Sequence, residues 1–355
     1  MNTIRSSVFF AADAADDLTY RNIRESTGPR AQEIRAHCES LWERFAPYAD
    51  HHFLTEVPRR FHARYWEMYL AVTIMDCGYE IVAPKPGPDF GITVDGHRMW
   101  IEAVTTTAGA EENPEQVPGF VFGQMQQVPN EQMVLRYVSA ISEKVLRQRP
   151  RWIEGGHVNA NDCLIVALNP KLIDHEVFDT IPPRIVQVAY PVGPLAVVVD
   201  PRTGRHVETR AQARTSIRRV SGAAVGTGVF FDERYAALTG LICSRVDVGN
   251  RPEILGADFQ FLPNPCAIAL TPDALRLRGT VYRPRHSEGS IELQAIDWQS
   301  NEPIEQEGDR SKPLWFKAIL SDPEWMADPE RKARDEAARA IDEILGRTKP
   351  SDGKR

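Results

Sequence analysis

Apolar positions Ile34, Cys38, Leu41 and Phe45 recur at alternating four- and three-residue steps and predict a helix over residues 30–50. A second helix is predicted over about 58–77, with Pro58 in its first turn and Gly78 at its end. The short run YEIVA (79–83) reads as a strand, and PKPGP after it forbids regular structure. FGITV (90–94) and RMWIEAVTT (98–106) then read as two strands, joined at Asp95-Gly96 in a tight hairpin turn.

The stretch 109–131 is rich in Pro, Gly and Gln and predicts a long loop. Val134, Val138, Ile141 and Val145 place a helix over about 131–149. CLIVALNP (163–170) and PLAVVVDP (194–201) are β-branched runs typical of buried strands, and GLICSRVDV (240–248) and CAIAL (266–270) are shorter strand candidates. After about residue 285 the chain turns to charge, Pro and Trp, with an amphipathic helix predicted over 322–346 and a polar tail of nine residues.

The order helix, strand, hairpin, helix, strand, strand predicts a mixed α/β domain over roughly 30–270. A three-part organisation follows: an N-terminal helical segment (1–57), a central domain with extensions (58–285) and a charged C-terminal region (286–355). At 355 residues, 42% hydrophobic and 26% charged, the chain has enough apolar material for a sizeable core. No uninterrupted apolar run is long enough for a spanning helix, and the N-terminus makes a poor secretory signal, so a cytoplasmic, non-membrane protein is expected. Cys38, Cys77, Cys163, Cys243 and Cys266 are odd in number and widely spaced, which argues for reduced thiols over a disulfide framework or a zinc knuckle.

Candidate chemistry lies in the acids. Asp89 opens the first hairpin strand, and Glu102 lies 13 residues later inside the apolar strand MWIEAV. A carboxylate there is costly unless paired or metal-bound. Glu67 on the preceding helix is a third acid. Acids at strand ends and on a neighbouring helix are what Mg²⁺ needs in order to polarise a phosphate and lower the pKa of a bound water.

Helical Glu67, PDF at 88–90 and IEAV at 101–104, in that order, resemble the PD-(D/E)XK nuclease superfamily over about residues 58–170. The resemblance implies a restriction-endonuclease-like mixed sheet flanked by helices, with further α+β elements towards the C-terminus. It also implies a metal-dependent nuclease acting on nucleic acid, DNA before RNA. Residue by residue it implies Asp89 and Glu102 as ligands of Mg²⁺ or Mn²⁺, with Glu67 as the helical acid that many members add. The sequence departs from the family at Val104, which stands where the motif lysine belongs. Some members take that lysine from a neighbouring element. Lys144, in RYVSAISEKVLRQ, is the first substitute, and Lys85 the second.

Each acid also has a plainer reading. Pro-Asp is a common turn, and Glu67 has Arg59, Arg60 and Arg64 nearby for a helix-surface ion pair. His51-His52 and His157 read as loop and turn residues. Gly222, Gly226 and Gly228 match no phosphate-loop motif. Asn169-Pro170 and Asn264-Pro265 read as strand-ending turns, and Trp298, Trp315 and Trp325 as packing residues. The formal net charge of −7 gives nucleic-acid binding no support, although arginines cluster at 59–64, 147–151, 202–219 and 276–285. Two further readings therefore stay open. One is a catalytically silent nuclease fold that serves as a binding or assembly module, with a protein partner or a second copy held by the C-terminal region. The other is an unrelated α/β enzyme.

Overall fold

Two apolar layers, one on each side of a single sheet, organise the chain. The computed structural model describes residues 9–319, apart from 13, 85, 288, 289, 307, 308 and 314. The helix predicted over 322–346, the terminal tail, Trp325 and Lys85 lie outside the described residues.

Four helices come first: α1 (Leu18–Glu25), α2 (Pro29–Phe45), α3 (Phe53–Glu56) and α4 (Phe61–Asp76). Asp17 ties this layer together. One of its carboxylate oxygens caps α1 through the amides of Thr19 and Tyr20, and the other accepts the Phe61 N–H at the start of α4. Pro58 falls in the turn before α4 rather than in its first turn. α4 is buried nearly all round, as befits a helix held between the sheet and α2.

The hairpin follows, β1 (Phe90–Val94) and β2 (His97–Thr107), with Asp95 and Gly96 both at positive φ as its tight turn requires. The segment 79–83 forms only an isolated bridge, Val82 to Gly91. Next come α5 (Asn130–Ser142), a π-helical turn over Glu143–Gln148, α6 (Arg149–Glu154), β3 (Cys163–Leu172) and α7 (Arg184–Ala189). Pro150 lacks an N–H and its ring crowds the carbonyl four residues back, which accounts for the widened turn before α6.

Strands β4 (Val192–Val199), β5 (His206–Ala213), β6 (Ser216–Arg218), β7 (Ala224–Gly226), β8 (Gly240–Cys243) and β9 (Gln260–Pro263) follow. The last described strands are β10 (Thr280–Ser287), β11 (Ser290–Asp297), β12 (Glu305–Gln306), β13 (Asp309–Pro313) and β14 (Trp315–Ile319). Ten strands form one mixed sheet in the order β1-β2-β3-β8-β9-β10-β11-β14-β5-β4. β2, β3 and β8 run parallel, and β1 is an antiparallel edge. The fold is therefore a mixed α/β architecture with helices flanking a large mixed sheet. β10 runs across the expected boundary at residue 285, and β14 joins the same sheet.

In β2, Met99 and Ile101 pack with α2 and α4, whereas Trp100 and Val104 pack with α5. β3 does the same, with Cys163, Ile165 and Ala167 on one face and Leu164, Val166 and Leu168 on the other. That two-sided burial is why 163–170 is an unbroken apolar run. Two expectations fail. The run 194–201 contributes an edge strand, with Val197 63% exposed, because apolar content alone does not distinguish a central strand from an edge. The run 266–270 is no strand, and Ile268 is 70% exposed. Conversely, the short GLIC is a fully buried central strand, β8.

Trp298 is buried and stacks on Phe261 with ring centroids 4.2 Å apart. All five cysteines are free. Among the described residues no helix is long and apolar enough to cross a membrane.

Gly279 sits at φ +97°, where an added Cβ would collide with the carbonyl of Phe259, the acceptor of the Thr280 amide at the β9–β10 junction. Gly279→Ala should therefore lower stability by about 2–4 kcal/mol, read from urea unfolding midpoints.

Candidate active site

Strand alternation sets the site. Glu102 lies between Trp100 and Val104 on the face of β2 that α5 covers, and only 4% of it is exposed. The β1–β2 register ends with Phe90 opposite Ile101, so Asp89 falls one step further, beside Glu102 and Ala103. Asp89 Oδ2 accepts the Ala103 N–H at 2.8 Å, and the Asp89 amide donates to Glu102 Oε2 at 3.2 Å. Side chain and backbone thus lock the two acids together reciprocally.

Lys144 comes from the π-helical turn after α5. Its Nζ lies 2.5 Å from Glu102 Oε1 and donates to Gln148 Oε1 at 3.1 Å. The residue two positions after Glu102 is Val104, and the amine arrives instead from the helix packed over the same sheet face. Gln148 is a partner that sequence reasoning missed. Its only trace was the four-residue step from Lys144, which is ubiquitous on helices.

Burial pushes the Glu102 carboxyl up, and the neighbouring Asp89 charge adds to this. Lys144 pulls the other way through its charge and hydrogen bond, and the group settles at about 7. Near neutral pH the site therefore exchanges a proton.

Glu67 is placed differently. It lies on α4, against the opposite face of the sheet from α5. Its Oε2 pairs with Arg64 Nη1 at 2.6 Å, and Arg64 also binds Glu56. The structure thus brings Asp89, Glu102 and Lys144 together, and pairs Glu67 with Arg64. Among the described residues no group of three or more His, Cys, Asp and Glu side chains gathers to hold a metal ion. His51 and His52 stack on each other at 3.8 Å and are exposed.

A second buried acid escaped notice in the sequence. Glu176, just after β3, accepts from the Tyr137 hydroxyl at 2.6 Å and faces Arg184 at 3.4 Å. Burial raises it to about 7 as well. Its sequence context, DHEVFD, has no apolar-strand signature like that of Glu102.

Comparison with protein-family models, with curated proteins and with solved structures found no match. What the site can do is therefore argued from its own atoms.

Glu102 holds a proton in the folded protein at pH values where an exposed glutamate has lost it. Below about 4.5 it is protonated in both states, and from there to about 7 its burial increasingly opposes folding. Glu102→Gln should remove that slope: over the same pH interval the wild-type melting temperature falls relative to the variant's in metal-free buffer. Parallel melting curves for the two proteins would mean that Glu102 is not strained in this way.

Proposed function

We propose that this chain is a metal-dependent nuclease that hydrolyses phosphodiester bonds, DNA before RNA, at Asp89, Glu102 and Lys144. The observation that carries the reading is the Asp89–Glu102 pair, interlocked across the β1–β2 edge with the Lys144 ammonium on Glu102.

The donor set fits a hard divalent cation. Two carboxylates side by side, one held near its point of ionisation, are the oxygen ligands that Mg²⁺ or Mn²⁺ prefers, and Mg²⁺ needs only one or two from the protein. Asp89 and Glu102 would hold the ion, and Glu67, paired with Arg64, would act through its helix rather than as a ligand. When bound, the cation polarises the phosphate and lowers the pKa of a water. The chain's own residues do the rest. The Ala103 amide fixes Asp89, and the Asp89 amide fixes Glu102 Oε2. Lys144 Nζ, steered by Gln148, presents its positive charge beside Glu102 Oε1, where it can hold a water and offset charge developing on the phosphate.

One observation favours a silent binding or assembly module instead. Lys144 already pairs with Glu102, and Arg64 with Glu67, so two of the three acids carry a counter-charge without a metal. Cleavage assays with Mg²⁺ and with Mn²⁺ on plasmid, linear and single-stranded DNA and on RNA separate the two. The nuclease reading expects metal-dependent cleavage that is lost in Asp89→Ala and Glu102→Ala and falls about 10²–10⁴-fold in Lys144→Ala. It also expects added Mg²⁺ to raise the melting temperature more at pH 8 than at pH 6, because the ion displaces the Glu102 proton. No cleavage and no metal-dependent shift would leave the silent module as the better account.

A further inference from the structure

A second polar concavity lies on the outer side of the helix that carries Lys144. α5 and the π-helical turn present Ser139, Ser142, Glu143 and Arg147 to it, and the hairpin β6–β7 with the turn at Arg234 and Tyr235 closes the opposite wall. The space measures about 360 Å³, which suits a small molecule. Leu146 and Val225 add apolar surface to a lining that is otherwise mainly polar, and the Tyr235 hydroxyl and Ser142 Oγ are hydrogen-bonded at 2.7 Å.

Three arginines line this cleft, Arg147, Arg219 and Arg234, against one acid, Glu143, on a chain whose formal net charge is −7. Arg219 is exposed, and among the described residues no hydrogen bond or ion pair of its guanidinium is found. Arg147 is 74% exposed and bonded to Glu143 at 3.1 Å, an i,i+4 surface pair of the kind that holds its partners weakly. Arg234, at 68% exposed, forks onto Asp232 at the rim. Guanidinium groups brought to one cleft from three separate elements, beside a small apolar surface, are an arrangement that recognises a phosphate attached to an organic body. A polynucleotide track would be an open basic strip. This is a cleft walled by α5 and the β6–β7 hairpin.

We infer that the cleft between α5 and the β6–β7 hairpin is a binding site for a phosphorylated small molecule of nucleoside-monophosphate size. Arg219, Arg147 and Arg234 take the phosphate, and the partly exposed Leu146 and Val225 contact the organic body. The site is separate from Asp89 and Glu102 and stands whether or not the chain cleaves nucleic acid. It shares the π-helical turn with the candidate active site. Glu143 and Arg147 line the cleft and Lys144 faces Glu102.

Isothermal titration of the full chain with AMP, CMP, GMP, UMP and inorganic phosphate tests this, with a short single-stranded oligonucleotide as the polymeric control. At least one monophosphate is expected to bind more tightly than inorganic phosphate, which leaves Leu146 and Val225 uncontacted. Arg219→Ala should weaken that binding roughly tenfold, Arg219→Lys less, and Arg219→Ala with Arg234→Ala should abolish it. Glu102→Gln should leave it unchanged, which keeps this outcome distinct from that of the cleavage assays. Arg219 is exposed, and an unchanged melting temperature for its variants shows that folding is intact. The inference is overturned if no monophosphate binds, if phosphate alone binds as tightly, or if the arginine variants bind normally. Oligonucleotide binding lost in those variants without any monophosphate binding would overturn it too, and would make the cleft a polynucleotide contact.

Discussion

A carboxylate inside a strand buried on both faces is the constraint around which the first half of this fold is arranged. Removing Glu102 from water costs several kcal/mol before anything repays it. The repayment comes from three directions. Lys144 approaches from the helix above, the Asp89 amide from the neighbouring edge strand, and protonation near neutrality lightens the charge. Each needs a piece of architecture in place. β1 must begin at Phe90, opposite Ile101, so that Asp89 falls beside Glu102, and α5 must run back over β2 far enough to deliver a lysine from the π-helical turn.

The sheet makes this geometry rigid. β2 sits between the edge strand β1 and the central β3, and every second residue of β2 and β3 belongs to a different apolar layer. α4 is locked to β3 by the Trp66 indole, which donates to the Ala167 carbonyl at 3.0 Å. On the other face, Trp100 donates to Asp162 at 2.8 Å, and buried Arg149 ties α6 to the carbonyls of Ala160 and Asp162. Arginines that look like a basic patch in the sequence are thus divided by the structure. Arg64 and Arg149 are internal ties, whereas Arg147 and Arg219 line a cleft, joined there by Arg234 from outside those clusters.

Local signals were legible where a physical rule acts on neighbours in sequence. The Asp95-Gly96 turn, the helices at 30–50 and 58–77 and the buried run 163–170 all follow from periodicity or turn chemistry and appear within a few residues of where they were expected. Signals failed where burial depends on distant partners. β4 is as β-branched as β3 but lies at the sheet edge, and CAIAL has no neighbouring strand to pair with. GLIC, within the shorter strand candidate 240–248, does form a strand, and its full burial comes from β3 and β9 on either side.

For the site, the sequence singled out Glu102 as an acid in an apolar strand and Asp89 as the acid that opens the neighbouring hairpin strand, and the resemblance to the nuclease superfamily added Glu67 and Lys144. Tertiary structure decided the rest. It placed Lys144 on Glu102 across 42 residues of chain and gave Glu67 to Arg64 on the other sheet face. It also buried Glu176 against Tyr137 and gathered Arg147, Arg219 and Arg234 around one cleft. The physical reason is common to all four. Strand alternation and helix period say which way a side chain points, but only the packing of one element on another says what it meets there.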